Sequence, residues 1–212
     1  MLLTEYNLAH LQKLMKKELD HDRYQHTLGV MFTAAALAMA HGENMEHAEV
    51  AGLLHDCAKC IPNKKKLKIC RNHHIPVSDY EQYHPFMLHA KLGAWLAKHK
   101  YHVKDPDILQ AILWHTTGKP RMSRLEKIIF IADYMEPGRA KASNLPEVRR
   151  LAFRDLDRCM YVICRDTLEY LHGSKADVEE NTRRACDYYR SLYQGEGGKT
   201  DESIPGNGSD GC

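Results

Sequence analysis

Along nearly the whole chain, apolar residues return every third or fourth position, and the alternation that marks a half-buried strand is almost absent. That spacing is the period of an α-helix, and it gathers each apolar set onto one face of its helix. A chain patterned this way buries helix against helix and has little from which to build a sheet. The expected fold class is therefore all-α.

Taken in order, Leu8, Leu11 and Leu14-Met15 line one side of a segment from about Tyr6 to Leu19. After the charged link Asp20-His21-Asp22, a long helix runs from about Arg23 to Ala40 and stops at Gly42. Its interior carries Ala34, Ala35, Ala36, Ala38 and Ala40, which lets a neighbouring helix approach closely. Further helices are expected from about Glu46 to Lys59, Pro85 to Lys100, Asp105 to His115, Arg124 to Glu136, Glu147 to Leu171 and Ala176 to Tyr193. Asp105-Pro106 reads as an N-cap followed by a first-turn proline, and Ser123 with Glu126 as a capping box. Lys64-Lys65-Lys66 with Lys68 and Arg71 reads as a solvated basic helical face, and the stretch before Pro85 as a polar loop. No repeat or boundary precedes Gly195, so one domain is expected over residues 1–194, with a disordered glycine-rich tail over 195–212.

Composition narrows the partners. A net charge of +2 over 212 residues gives no electrostatic reason to expect nucleic acid or a membrane surface. No apolar run approaches the roughly 20 residues that cross a bilayer, and the first residues lack a signal-peptide pattern. The 7 cysteines are an odd set scattered through helical patterns, which suits a reducing cytoplasm. Cys57 and Cys60 are spaced C-x-x-C, but no second such pair and no βαβ pattern accompany them, so a redox or zinc reading is set aside. The 14 histidines are the excess that matters.

The run Ala51-Gly52-Leu53-Leu54 ends in His55-Asp56. An imidazole and a carboxylate placed there lie against a core, where an unpaired polar group costs roughly 2–7 kcal/mol. A metal ion compensates both at once, since both are common ligands. Other residues stand in similar company: His26 before Gly29, Val30 and Thr33; His89 before Leu92, Gly93 and Leu96; His115 after Ile108, Ala111 and Ile112; Asp133 after Ile129 and Phe130. Each histidine alone reads as a hydrogen-bonded core residue, and Asp133 alone as a helix-capping or salt-bridged group. Together they read better as one shared metal cluster drawn from five helices. His47, His73, His74, His84, His99, His102 and His172 lack such company, and His41, though it follows Leu37 and Ala38, sits at a helix C-terminus where a cationic side chain favours the dipole; none is given chemistry.

These residues resemble the metal-binding signature of HD-domain phosphohydrolases. Four strings narrow the likeness to the YqeK family of symmetrically cleaving bis(5′-nucleosyl)-tetraphosphatases. They are Ala51 to Asp56 with Lys59, Leu88-His89 with Gly93-Ala94, His115-Thr116-Thr117-Gly118, and Ala132-Asp133-Tyr134 with Glu136-Pro137 and Arg139. The resemblance covers about Asp20 to Tyr193 and implies a helical bundle around a dinuclear metal centre, usually of iron, with manganese or zinc as alternatives. By position, His26, His55, Asp56 and Asp133 would hold one ion. Asp56 would bridge to a second, completed by His89 and His115.

The implied reaction takes diadenosine tetraphosphate to two ADP, by attack of a hydroxide held between two ions on an inner phosphate. Lys59, one turn beyond His55, has the reach to contact a phosphate oxygen. Arg139 could neutralise charge on the leaving nucleotide. With Asp56, these two are the expected catalytic set. Thr116, Thr117 and Gly118 form a hydroxyl-bearing turn that contacts phosphate or ribose, or merely ends a helix, and Arg23 and Lys127 are further cations near the site. Competing readings keep the metals but change the substrate to a guanosine polyphosphate, a cyclic dinucleotide or a nucleoside monophosphate, or make the chain a non-catalytic metal- or nucleotide-binding regulator or a plain helical adaptor. The expected partners are a small-molecule dinucleotide and, as an option, a second copy of the chain, with no nucleic acid and no membrane.

Overall fold

The computed structural model describes residues 5–173 and 177–194, and no strand occurs among the described residues. Asn7 accepts the His10 N–H and opens α1 (Leu8–Glu18). Asp20 accepts the Arg23 N–H and opens α2 (His21–His41), which closes on Gly42 in the left-handed conformation, with the Gly42 N–H donating to Ala38 O. α3 (Met45–Leu54) follows after a tight link capped by Asn44. Ala48 and the second half of the helix, Val50 to Leu54, are buried, as an apolar run must be, while Met45 at its start is exposed. Burial of Leu53 and Leu54 contributes roughly 1.5–3 kcal/mol each.

The Ala-rich face of α2 packs along α3. A Cβ built on Gly52 would stand 2.9 Å from the Met31 Cα, so these two backbones meet at a distance only glycine permits. α7 (Pro106–Trp114) and α8 (Arg124–Met135) pack on the other sides of α3, and α6 (His89–His99) packs on α7. Asp105 accepts the Asp107 and Ile108 N–H groups, and Ser123 and Glu126 form a reciprocal capping box, as expected. α9 (Leu145–Ala152), α10 (Leu156–Gly173) and α11 (Glu180–Gln194) form an outer layer, α9 and α10 packing against α8 and α11 against α10.

Several boundaries differ from the sequence expectation. The helix expected to reach Lys59 ends at Leu54 and gives way to successive short turns, with Cys57 N–H on Leu54 O and Lys59 N–H on Asp56 O. The helix expected from Glu147 to Leu171 is two, broken at Phe153 to Asp155, where the Asp155 carboxylate accepts the Arg158 N–H and starts the second. Pro85–Leu88 is a 3₁₀ turn leading into α6. The basic stretch forms α4 (Asn63–Asn72), and the loop ahead of Pro85 contains the short helix α5 (Asp79–Tyr83) under its own Ser78–Glu81 capping box. Lys64, Lys65, Lys68 and Arg71 are solvated, but Lys66 is buried, donating to Lys59 O and Asn63 Oδ1. The last helix starts at Glu180 rather than near Ala176, and the tail expected over 195–212 lies outside the described residues.

Candidate metal centre

Three of the candidate histidines stand at the ends of helical segments and use the same bond. His55 Nδ1 lies 2.7 Å from Gly52 O, His89 Nδ1 2.7 Å from Phe86 O, and His115 Nδ1 2.7 Å from Ile112 O. A carbonyl only accepts, so each Nδ1 carries the proton and each Nε2 presents a lone pair. At Gly52 and Ile112 the bond also satisfies a carbonyl that the helix end leaves without an intrahelical partner, whereas Phe86 O accepts the His89 backbone N–H as well. His26 is different: it projects from the first half of α2, and its Nδ1 faces Glu136 Oε1 at 3.1 Å.

The Nε2 atoms converge on Asp56. Its Oδ2 lies 3.5 Å from His55 Nε2 and 3.9 Å from His26 Nε2. Its Oδ1 lies 3.3 Å from His89 Nε2 and 3.6 Å from His115 Nε2. Each carboxylate oxygen therefore faces its own pair of imidazoles. Asp133, from α8, brings Oδ1 to 3.1 Å from His26 Nε2 and 3.9 Å from His55 Nε2. Burial pushes the Asp56 carboxyl up, but the positive charge that a second proton puts on the imidazoles of His55 and His115 outweighs it and holds the group well below the ordinary carboxylate range. Burial likewise pushes Asp133 up, and protonated His26 and His55 hold it down. His89 is pushed down to about 3 by burial and the neighbouring His115, so its ring is neutral at physiological pH, the form in which an imidazole can bind a metal.

This donor set fits metal. His55, Asp56, His89 and His115 are all buried, yet His26 Nε2, His55 Nε2 and Asp56 Oδ1 have no hydrogen-bond partner. Orphaned buried acceptors of this kind cost about 1–3 kcal/mol each unless something binds them. Three overlapping groups, His26–His55–Asp56, His55–His115–Asp133 and Asp56–His89–His115, have ligand atoms within 4.8 Å of one another. Imidazole with carboxylate is a donor set for divalent first-row metals.

Beside the cluster opens a cavity of about 460 Å³. Lys59, Thr116 and Arg139 give it polar walls, and Tyr134, Leu145 and Ile163 apolar ones. Thr116 Oγ1 is 3.0 Å from both His89 Nε2 and His115 Nε2. Lys59 Nζ is 3.1 Å from His89 Nε2 and 3.7 Å from Asp56 Oδ1, so it reaches the cluster although the helix expected to carry it has ended. Arg139 donates through Nη2 to Asp133 Oδ1 at 2.6 Å and through Nε to Asp133 O at 2.9 Å.

The family model described as HD domain matches residues 23–138, the segment that contains all six candidate ligands. The chain belongs to the HD domain family. Among curated relatives, it is 40% identical over 168 residues to a symmetrical bis(5′-nucleosyl)-tetraphosphatase of Bacillus subtilis (strain 168), covering 79% of this chain and 89% of that one. It is likewise 40% identical over 170 residues to the protein of that name from Halalkalibacterium halodurans, covering 80% and 90%. It also superposes on the crystal structure of a predicted HD superfamily hydrolase involved in NAD metabolism from Clostridium acetobutylicum. There the TM-score is 0.84 and the identity 38%, over 88% of this chain and 98% of that one.

Not every expected site residue of this HD protein gathers at the cluster. Arg23 does, with Nη1 donating to Asp56 Oδ2 at 2.7 Å. Lys127 does not: its ammonium pairs with Asp157 Oδ1 at 2.8 Å, on α10. Thr117 lines the cavity, while Gly118 closes the end of α7, its N–H donating to Trp114 O at 2.9 Å. Cys57 donates to Gly93 O and Cys60 to Asp20, and burial pushes the Cys57 thiol up, so the C-x-x-C spacing makes no joint site. Two charged residues went unassigned in the sequence: Glu136, buried against His26, and Lys66, buried under Lys59. Glu136 stood in the quoted Glu-Pro-x-Arg string, and that was its only signal.

Proposed function

We propose that this HD protein is a metal-dependent hydrolase that cleaves dinucleoside tetraphosphates between the second and third phosphates, converting diadenosine tetraphosphate and one water to two ADP. The observation that carries the reading is the arrangement of Asp56, one oxygen toward His26 and His55 and the other toward His89 and His115. The two relatives named symmetrical bis(5′-nucleosyl)-tetraphosphatase support the choice of substrate. His26, His55, Asp56 and Asp133 would hold one ion, and Asp56, His89 and His115 a second. Iron is the expected metal, and manganese and zinc suit the same donors.

Bound ions of this kind supply Lewis acidity, polarising phosphate oxygens and making water a better nucleophile near neutral pH. The chain's own part is to place the substrate. Lys59, with a flexible ammonium at the cluster, meets a phosphate oxygen at the scissile linkage. Arg139 offers a planar guanidinium that pairs with two oxygens of the departing diphosphate. Thr116 donates its hydroxyl from between two ligand rings. The apolar wall of Tyr134, Leu145 and Ile163 takes a nucleobase, and the cavity volume lies within the ordinary range for a small-molecule pocket. Arg23 stays on Asp56 and orients it. No helix among the described residues is long and apolar enough to cross a membrane.

The test is to load the protein with metal, incubate it with diadenosine tetraphosphate and separate the products. ADP as sole product supports the reading. ATP with AMP overturns the symmetrical cut, and an intact substrate overturns the activity.

A further inference from the structure

Glu136 is 4% exposed, a carboxylate inside the protein, and its one ion-pair neighbour among the described residues is the His26 ring. Buried carboxylates of this kind are held by a cation, a metal ligand or several hydrogen bonds. Its two oxygens have different tasks. Oε1 faces His26 Nδ1 at 3.1 Å, while Oε2 accepts the Gly138 N–H. The main chain of Glu136 is equally committed, its carbonyl accepting the Arg139 N–H at 2.9 Å and Arg149 Nη2 at 3.1 Å. Arg149 also donates to Met135 O and Arg139 O, pinning the whole turn from outside.

The sequence prepares this geometry. Pro137 disfavours a helical conformation at the residue before it, and Glu136 sits at φ −49° and ψ 157°, ending α8. Two glycines make room for the side chain. A Cβ on Gly29 would stand 2.5 Å from Glu136 Oε2, and one on Gly138 2.9 Å from Glu136 Oε1. Gly29 lies one helical turn after His26, so the same face of α2 supplies both the ring and the space for its carboxylate partner.

We infer that Glu136 is a positioning residue with two outputs: it aligns His26 to present Nε2 to a metal, and it fixes the turn that carries Arg139. A carboxylate on the far nitrogen of a ligand imidazole holds the proton there, sets the ring plane and raises the basicity of the ligating nitrogen. Because both outputs pass through one side chain, the metal cluster and the phosphate-binding cation are set by a single carboxylate. The inference rests on the metal-binding reading above.

The experiment compares wild type, Glu136→Ala, Glu136→Gln and Arg139→Gln. Metal affinity is read by competition with a chelator, the melting temperature in excess chelator, and KM and kcat on diadenosine tetraphosphate. Glu136→Ala should lower the affinity of one ion by about 10- to 100-fold and raise KM. Glu136→Gln keeps the shape and an acceptor oxygen, so it should retain more affinity than Glu136→Ala. Arg139→Gln should raise KM and, since Arg139 donates to Asp133 from a half-exposed position without orienting His26, lower metal affinity less than Glu136→Ala does. Metal affinity of Glu136→Ala within about twofold of wild type overturns the inference. If Glu136→Ala does not fold, Glu136→Gln decides: a loss of metal affinity at wild-type melting temperature supports the inference, and equal affinity overturns it. A wild-type protein that binds no metal overturns the metal-binding reading and this inference with it.

Discussion

Gly52 offers the sharpest test of how the fold sets the site. In Gly52→Ala the new methyl would meet Met31 Cα at 2.9 Å, Met31 N at 3.2 Å and Val30 O at 3.3 Å. Carbon atoms prefer about 3.5–4.0 Å, so α2 and α3 must part by about 0.6–1 Å. The obstructing atoms are backbone and cannot rotate aside, which places the strain near the upper end of the 1–3 kcal/mol typical of overpacking, about 2–3 kcal/mol. The gain in helix propensity from glycine to alanine offsets about 1 kcal/mol. The net loss is about 1–2 kcal/mol, or about 2–8 °C in melting temperature for a chain of this size. Gly52 O is also the acceptor that orients His55, so metal affinity should fall with stability. Thermal melts in chelator and metal titrations measure the two effects. Gly173→Ala, where an added methyl meets nothing within 4 Å, is the control and should change little. A Gly52→Ala protein that melts within about 1 °C of wild type and binds metal as tightly would refute the close-packing argument.

Other outcomes follow from the same geometry. Asp56→Ala should lose metal and turnover together, because each Asp56 oxygen serves its own histidine pair; an active, metal-replete variant would count against the ligand assignment. Arg139→Gln should weaken nucleotide binding by about 10- to 150-fold, the worth of a charge-assisted hydrogen bond of 1.5–3 kcal/mol, while elemental analysis still finds the protein loaded when metal is in excess. The pH dependence of stability has a definite sign. His89 is pushed down to about 3 in the folded protein, below the ordinary 6.5, so the unfolded chain binds a proton there that the native one refuses. In chelator, stability should therefore be full above about pH 6.5 and decline as pH falls toward 3, with a shallower decline in His89→Gln; urea midpoints between pH 4 and 8 would show it, and identical slopes would refute it.

The sequence disclosed most where structure is decided locally. Asp105-Pro106, Ser123 with Glu126, and Gly42 act within one helical turn, and all three mark the ends they promised. The same Ser-x-x-Glu signature at Ser78 and Glu81 is a weak signal because only five helical residues follow it. The break at Phe153 to Asp155 has no glycine or proline to announce it. It is made by Asp155 capping α10, a side-chain choice that is visible only as an acidic residue three before Arg158. The end of α3 was hidden for another reason: the helical pattern continues past Leu54, but the chain tightens where the imidazole of His55 takes the Gly52 carbonyl. His26, His55, His89, His115, Asp56 and Asp133 were legible as polar residues on apolar faces. Glu136 was not, because it reads as an ordinary helix end and its partner lies 110 positions earlier. Lys127 misled because charge alone does not say which carboxylate a lysine will find, and Asp157 was in reach.

The bonds from three ring nitrogens to the carbonyls of Gly52, Phe86 and Ile112 tie the orientation of these candidate ligands to the helical segments themselves. Whatever folds those segments also aims the rings, so little ordering is left for an incoming ion to drive. Such a centre should behave as a rigid socket, unlike small zinc domains that collapse on chelation. Stripping it would silence the chemistry while the helices stay up, and different first-row ions would exchange into one fixed frame, distinguished by how well each tolerates that frame and by how abundant each is where the protein works.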